Sequence, residues 1–275
     1  MQFSVLISIR DADDPVFFDA AIYSITSQTV RPDEIVLVKD GCLGSDLERV
    51  VKKWEMRLKD RLSILVLEAS KGLGEALRVG TEHCKYELVA RMDADDVSVP
   101  NRFEKQIAFL KINPDIDVVG SWVGEFSKSP EEVISLRTTP VLPEDVRRYA
   151  RFRNPVNHPS VMLKKKALRA VGGYLPFPGF EDYYLWARLL MRGHKIANIP
   201  EVLVKQRISH QFYKRRGGWT YVMQELSLQR ELLRMGFINR RVYLANIVFR
   251  IIVRFMPLSI RRQIYKGLRI KPMTS

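Results

Sequence analysis

The first 125 residues alternate short apolar runs with amphipathic segments. Continuous apolar runs are typical of strands that are buried on both faces of a parallel sheet, and they predict strands at Phe3–Ile9, Glu34–Lys39, Leu62–Leu67 and Glu87–Met92. Apolar residues recur every three to four positions between them, which predicts helices over Val16–Gln28, Leu47–Leu58 and Leu73–Cys84. This order predicts an α/β fold, a mostly parallel sheet flanked by helices.

The second half of the chain has a less regular pattern. A helix is predicted from Pro100 to Leu110, a strand at Asp117–Val123, a strand and short basic helix at Asn157–Leu168, a helix at Gly179–Leu190 and a strand pair around Pro200 at Lys195–Arg207. Residues 126–157 are polar, and we expect them to vary with substrate. Amphipathic helices follow from Trp219, with breaks near Gly236 and Pro257. We therefore predict a body in two halves (1–125 and 126–215) and a helical C-terminal extension (216–275).

Every predicted strand of the first half ends in polar residues. Arg10 follows the first strand, Asp40 the second, Lys71 the third and Asp93 the fourth. Ligands of open parallel sheets bind outside the carboxyl ends of the strands. We expect a polar pocket at this edge. Asp40 could accept hydrogen bonds from a base or ribose there, and an ordinary Asp-Gly turn with Gly41 is the alternative.

The stretch Val89–Asp96 (V-A-R-M-D-A-D-D) carries three carboxylates within four residues. Such charges repel one another unless a cation lies among them. Alternate side chains of an extended segment point the same way, so Asp93 and Asp95 could converge on one ion. Mg²⁺ and Mn²⁺ prefer oxygen ligands of this kind and commonly share them with substrate phosphates. A solvated acidic turn before the helix at Pro100 is the alternative.

Charge and cysteine content narrow the class of protein. The formal net charge is +14, and ten positive charges without any acidic residue follow Glu231. A basic, apolar tail of this kind suits an anionic membrane surface or nucleic acid. Its most apolar part, Val242–Met256, contains Arg250 and Arg254, so we expect a helix lying in the headgroup layer or packing on a protein surface, and not a spanning helix. Two cysteines without metal-ligand spacing predict a reducing compartment.

Two nucleotide-binding motifs are excluded. Gly72–Leu77 has two glycines of a dinucleotide fingerprint, but Leu77 occupies the third glycine position and the segment follows the third strand. A phosphate-binding G-x-x-x-x-G-K-[ST] loop does not occur in the sequence.

The apolar N-terminus lacks a basic region, so we interpret it as a first strand and not as a signal peptide. We expect a cytoplasmic protein.

Four motifs in order resemble the bacterial family-2 glycosyltransferases of GT-A fold. They are F-S-V-L-I-S-I, S-I-T-S-Q-T-V-R-P-D-E-I-V-L-V-K-D-G, A-R-M-D-A-D-D-V-S-V-P-N-R-F-E-K-Q, and G-G-Y followed by G-F-E-D-Y-Y-L-W-A-R. The resemblance covers residues 3–210. The stretches N-P-V-N-H-P-S-V-M-L and Y-K-R-R-G-G narrow it to enzymes of capsule, exopolysaccharide or O-antigen assembly, such as the amylovoran-biosynthesis glycosyltransferases.

The resemblance implies a donor half (1–125) and an acceptor half (126–215). It implies an inverting transfer of a hexose with Mn²⁺ or Mg²⁺ as cofactor, and UDP-galactose is the first candidate donor. It implies that Asp95 is the main metal ligand, that Asp93 is shared between ribose and metal, and that Asp182 beside Glu181 is the general base. Asp40 would recognise the nucleobase, with Ser8 and Ile9 on the same side. Positive charge near the diphosphate would come from Arg10, Lys71, Arg78, Arg91, Arg215 and Arg216. His158 and Trp186 are candidates for acceptor contact, and His210 for acceptor or diphosphate contact.

Departures from the family pattern affect the donor contacts. Arg10 and Asp11 replace the usual Tyr-Asn, and Leu77-Arg78 replace Arg-Asn. The expected acceptor is a lipid-linked oligosaccharide, and the expected location is the inner face of the bacterial inner membrane, reached through the C-terminal helices; an oligomer is possible. Two other classes stay open, a nucleotidyltransferase and a basic nucleic-acid-binding protein. Nucleic acid is not the expected partner because the chain lacks a recognisable binding module.

Overall fold

A computed structural model describes residues 1–208 and 218–255, with side chains up to 250. The strands are β1 (Phe3–Ile9), β2 (Glu34–Asp40), β3 (Leu62–Leu67), β4 (Leu88–Met92), β5 (Val97–Ser98), β6 (Ile116–Phe126), β7 (Ser135–Arg137), β8 (Met162–Lys164) and β9 (Lys195–Arg207). The helices are α1 (Pro15–Thr26), α2 (Ser45–Leu58), α3 (Leu73–His83), α4 (Arg102–Ile112), α5 (Pro143–Tyr149), α6 (Lys165–Ala170), α7 (Glu181–Met191), α8 (Trp219–Arg234) and α9 (Arg240–Phe255).

The described strands form one sheet in the order β3-β2-β1-β4-β8-β6-β9-β5, and β7 pairs with β6. The four strands of the first half are parallel, as predicted. The sheet becomes mixed beyond β4 because β8 runs antiparallel to both β4 and β6. The carboxyl ends of β1, β2, β3 and β4 therefore share one edge, which places the residues that follow them in one region of the surface.

Two apolar layers cover the sheet. On one face α1, α2 and α4 pack their apolar sides, including Phe18, Trp54 and Phe103, against β1, β2 and β4. On the other face α3, α5, α6 and α7 do the same, with Trp186 fully buried. Strand β4 is buried at all five positions, as expected for a strand between two layers of helices.

The predicted strand pair at Lys195–Arg207 is wrong, because the segment is one strand. β9 runs parallel to β6, but its register shifts where Ile199 pairs with Ser121 and Val202 with Trp122. Pro200 and Glu201 lie in this irregularity, where a missing backbone N–H does not interrupt the ladder. Pro200 therefore marks a bulge and not a turn.

The described part of the C-terminal extension, residues 218–255, is helical, as predicted, and packs on α7. Leu228 and Leu232 of α8, with Ile238 after it, cover Phe180 and Tyr183. The predicted break at Gly236 separates α8 from α9, and Gly236 has a φ of +78°. The predicted break at Pro257 lies outside the described residues. Among the helices that the structure describes, none is long and apolar enough to cross a bilayer.

Candidate active site

The carboxyl edge of β1, β2 and β3 contains a polar cavity of about 350 Å³. Its walls are the ends of these strands and the loops after them: Arg10, Asp11, Ala12, Asp40, Gly41, Cys42, Ala69 and Ser70. Ser8 and Ile9 precede this lining at the end of β1. The predicted pocket is therefore present at three of the four strand ends: Arg10 and Asp40 line it, whereas Lys71 and Asp93 are not among its lining residues.

Asp40 organises the loop on one side of this cavity. One of its carboxylate oxygens accepts hydrogen bonds from Ser70 Oγ (2.9 Å) and the Gly72 N–H (3.1 Å), and the other accepts from the Lys71 N–H (2.7 Å). Gly72 has a φ of +86°, which only glycine adopts without strain. The local Asp-Gly turn is also real, since Gly41 has a φ of +93°. Asp40 thus joins β2 to the start of α3.

Asp93, Asp95 and Asp96 form a tight turn after β4. One carboxylate oxygen from each lies within 4.8 Å of the others. Asp96 is buried, and its Oδ2 has no hydrogen-bond partner among the described groups. A buried carboxylate oxygen without a donor is costly unless a cation neutralises it. The donor set therefore fits a hard divalent cation held by Asp93 and Asp95, with Asp96 beside them.

The crowding of this turn is reflected in its pKa values. Asp95 is exposed as a residue, but the surrounding protein atoms desolvate its carboxylate, and this effect, followed by the charges of Asp93 and Asp13, raises its pKa to about 6. Burial and the charges of Asp93 and Asp95 raise the pKa of Asp96 well above its ordinary value. Both shifts show that three ionised carboxylates are disfavoured here without a counter-charge, as a bound cation would supply.

Arg207 holds the acidic turn from the end of β9. Its N–H donates to Asp96 Oδ1 (2.9 Å) and its Nε donates to the carbonyl of Asp95 (3.2 Å). The guanidinium lies 3.6 Å from the ring centroid of Phe17 and 4.6 Å from that of Phe126. Sequence reasoning missed Arg207 because it lies more than a hundred residues from the turn, and no local pattern marks it.

Arg91 lies between the acidic turn and a second pair of carboxylates. It is buried, forms an ion pair with Asp93, and has no partner for Nε or Nη1 among the described residues. Its charge opposes the rise that burial causes in the pKa of Asp95 and Asp96 on one side and of Glu181 and Asp182 on the other. The positive charge of Arg91 therefore acts on both the β4 turn and the start of α7.

Glu181 and Asp182 occupy the first turn of α7, where the helix dipole favours negative charge. Asp182 Oδ2 accepts from Asn154 Nδ2 (2.5 Å) and Oδ1 accepts from the Tyr183 N–H (2.7 Å). Burial raises the pKa of Asp182, and these hydrogen bonds oppose the rise. A carboxylate that is held in place and has a raised pKa is suited to accept a proton near neutral pH.

Gly74 allows the start of α7 to approach the start of α3. A Cβ at Gly74 would lie 2.9 Å from Glu181 Cγ, so a larger residue would displace that side chain. Gly74 is the second residue of α3, the helix whose preceding loop is held by Asp40. The contact brings the Glu181-Asp182 pair next to the helix that follows the Ser70 side of the cavity.

Several other predicted site residues have structural partners. His158 is buried and its Nε2 lies 2.9 Å from Tyr174 Oη, and burial lowers its pKa. Trp186 is fully buried with its ring 5.9 Å from that of His158. Arg78 forms ion pairs with Glu75 (2.7 Å) and Glu82 (3.0 Å) along α3. The side chain of Lys71 makes no described contact.

Three predicted residues, His210, Arg215 and Arg216, lie outside the described residues. Asn154 and Arg137, which act on Asp182, were missed because they belong to the polar segment 126–157 where the pattern was not interpretable. An Asn-Pro dipeptide at Asn154 was the one local signal, and it indicates a turn and not a partner.

Comparisons with known proteins identify the family. The model of "Glycosyl transferase family 2" matches residues 4–172. A UDP-Gal:alpha-D-GlcNAc-diphosphoundecaprenol beta-1,3-galactosyltransferase of Escherichia coli is 38% identical over 96% of this chain and 95% of its own length. The amylovoran biosynthesis glycosyltransferase AmsE of Erwinia amylovora is 37% identical over 96% of this chain and 98% of its own.

Solved structures show the same fold at low identity. S. aureus TarS 1-349 in complex with UDP-GlcNAc superposes with a TM-score of 0.66 at 17% identity, covering 91% of this chain and 72% of that one. The Pyrobaculum calidifontis mannosyltransferase PcManGT, solved with GDP-Man and Mn²⁺, has a TM-score of 0.64 at 14% identity, covering 97% and 80%. The predicted GT-A fold is confirmed, and the chain belongs to glycosyl transferase family 2.

Proposed function

We propose that the protein is an inverting glycosyltransferase that moves a hexose from a UDP-sugar to a lipid-linked oligosaccharide in surface polysaccharide synthesis. Galactose is the first candidate for this hexose. The observation that carries this proposal is Asp182, a carboxylate that Asn154 orients and that feels the charge of Arg91, the partner of Asp93 in the acidic turn. The names of the two relatives support the donor and the acceptor. One is a UDP-Gal:alpha-D-GlcNAc-diphosphoundecaprenol galactosyltransferase, and the other is a glycosyltransferase of amylovoran biosynthesis. Family membership favours this activity over nucleotidyl transfer and nucleic-acid binding.

The cavity at the strand ends would hold the UDP part of the donor. Asp40 accepts three hydrogen bonds but retains lone-pair capacity for a donor group of the base. Arg10 lines the same cavity and is exposed enough to turn toward the diphosphate. Arg91, with two unpartnered donor nitrogens among the described residues, would meet negative charge deeper in the site.

The transfer itself would be a single displacement. Asp182 would take the proton of the acceptor hydroxyl as its oxygen attacks the anomeric carbon, while the bond from that carbon to the diphosphate oxygen breaks. A Mn²⁺ or Mg²⁺ ion held by Asp93 and Asp95 would offset the charge on the departing diphosphate. One displacement inverts the anomeric centre, so an α-linked donor gives a β-linked product.

Purified protein with Mn²⁺, UDP-galactose and a GlcNAc-diphospho-lipid is expected to release UDP and form a β-galactoside. UDP release and the anomeric coupling constant of the product measure the activity and its stereochemistry. UDP-glucose and UDP-GlcNAc serve as donor controls, and the lipid without GlcNAc serves as the acceptor control. An α-linked product would contradict the inverting assignment, and pyrophosphate release in place of UDP would indicate nucleotidyl transfer.

We also propose that α9 places the protein peripherally on the anionic inner face of the membrane. Leu244 and Val248 lie on its outer side and are more than half exposed, and the equally exposed ring of Phe249 lies 5.9 Å from the guanidinium of Arg153. Exposed Arg240 and Arg241 begin the same helix. Apolar and basic residues on one helix face suit the headgroup layer of anionic lipid.

The double substitution Leu244→Glu/Val248→Glu is expected to weaken binding to phosphatidylglycerol vesicles by roughly tenfold or more, because it replaces inserted apolar groups with charges that the lipid repels. Vesicle co-sedimentation at two salt concentrations measures this. Met56→Glu/Ile112→Glu is the matched control, since both residues are exposed on other helices. Equal binding of the two double variants would contradict the assignment of α9.

A further inference from the structure

The segment 150–154 connects the C-terminal extension to the candidate base. At one end, Asn246 Nδ2 donates to the carbonyl of Arg151 (2.9 Å) and Arg250 Nη2 donates to the carbonyl of Phe152 (2.6 Å). At the other end, Asn154 Nδ2 donates to Asp182 Oδ2 (2.5 Å). Two side chains of α9 and a carboxylate of α7 therefore contact the same five-residue segment.

The inner side of α9 is polar where it meets this segment. Asn246 is buried and also donates to Gln229 Oε1 of α8 (2.8 Å). Arg250 forms a buried ion pair with Glu225 of α8. A buried ion pair adds little net stability compared with apolar residues of similar size. Its geometric effect is clearer, because it fixes the guanidinium that holds the Phe152 carbonyl.

The amide of Asn154 has a defined orientation. Its Oδ1 accepts from the Val156 N–H (3.3 Å), which leaves Nδ2 to donate to Asp182. The segment is also held at Ala150, whose carbonyl accepts from Tyr183 Oη (2.7 Å). Residues 151–153 form a turn whose N–H groups also donate to carbonyls at the end of α5, so the contacts to α9 are a second restraint on this turn. Loss of that restraint would shift the turn, and Asn154 follows it directly.

We propose that Asn246 and Arg250 are positioning residues for the general base: through the segment 150–154 they keep Asn154 donating to Asp182, so that α9 is part of the catalytic architecture. This inference rests on the proposed function of Asp182. The same helix exposes its opposite side, with Leu244 and Val248, to the proposed membrane surface. Lipid contact and base geometry would then depend on the placement of one helix.

Loss of the Asn154 contact has a defined effect on pH dependence. Asp182 faces Arg91 from β4 and Arg137 from β7, its neighbour Glu181 on α7, and Tyr174 before α7. The Asn154 hydrogen bond lowers the pKa of Asp182, so its loss raises that pKa, and the base is protonated up to a higher pH.

The test compares Asn246→Leu with Asn239→Leu in the full chain. Asn239 caps the same helix by accepting from the Val242 N–H (2.9 Å) and makes no described contact with segment 150–154. Asn246→Leu is expected to lower kcat by about 10-fold to 100-fold, as small displacements of catalytic groups do, with the KM for donor unchanged. The acid limb of its pH profile should move to higher pH. Asn239→Leu should lower the melting temperature without moving the profile.

A second variant tests the same inference in case Asn246→Leu does not fold. Arg250→Lys retains a charge for Glu225 but lacks the planar fork that also reaches the Phe152 carbonyl. A smaller shift of the acid limb in the same direction is expected. Wild-type kcat and pH profile in both variants would overturn the inference, whereas transfer by Asp182→Asn at the wild-type rate would overturn the proposed function itself.

Discussion

Asp182→Asn is expected to reduce sugar transfer by about 10²-fold to 10⁴-fold, the usual contribution of a positioned general base. Asparagine has nearly the same shape, and its one carbonyl oxygen can still accept from Asn154 or from the Tyr183 N–H. It cannot take the acceptor proton. Steady-state transfer gives the loss, and titration with UDP-sugar gives donor affinity, which should stay at the wild-type value.

The pH profile separates this effect from a change in folding. Burial raises the pKa of Asp182, so wild-type activity should fall as the pH decreases through that pKa. The residual activity of Asp182→Asn should not show this fall at low pH. The matched control is Asp117→Asn, because Asp117 is also shielded but pairs with His194 (2.8 Å) and Lys164 (3.7 Å) away from the cleft. Wild-type transfer by Asp182→Asn would refute its role as base.

The sequence predicts the sheet edge well because its signal is local. The apolar runs Phe3–Ile9 and Leu62–Leu67 match β1 and β3 residue for residue. β1 is buried on both faces and the edge strand β3 is partly exposed but equally apolar, so both have sharp limits where a polar loop begins. The acidic turn and Asp40 follow from the same signal, since each comes directly after a buried strand.

The supporting contacts could not be predicted, because they depend on residues that meet only in three dimensions. Arg207 contacts the acidic turn across more than a hundred residues, and Asn154 lies in a segment that contains β7 and α5 but has no clear periodicity. The role of Asp40 in holding Ser70, Lys71 and Gly72 also required the structure, since its local sequence indicated only a turn.

The same limit applies to Pro200. Its missing N–H indicated a turn between two strands, whereas β9 accommodates it in an irregularity against β6. Periodicity does not distinguish a turn from a bulge, because both interrupt the alternation for one or two residues. The partner strand decides between them.

Asp95→Ala is expected to reduce transfer by about 10²-fold or more, because metal assistance contributes several kcal/mol to the stabilisation of a departing diphosphate. The structural reason is the grouping of three carboxylates within 4.8 Å, of which Asp95 is the most exposed and Asp96 Oδ2 lacks a partner among the described groups. Initial rates with Mn²⁺ measure the loss. Asp60→Ala, an exposed carboxylate in the turn before β3, is the control.

Metal binding can be measured independently of activity. An ion present at about 100 times its Kd stabilises a folded protein by about 2.7 kcal/mol, so Mn²⁺ should raise the melting temperature of the wild type and of Asp60→Ala. Asp95→Ala should lose most of this increase. Without metal it should melt no lower than the wild type, because the raised pKa of Asp95 shows that its ionised form is disfavoured in the folded state at neutral pH. An undiminished Mn²⁺ effect in Asp95→Ala would show that the ion binds elsewhere, and a lower melting temperature without metal would show that the carboxylate is structural.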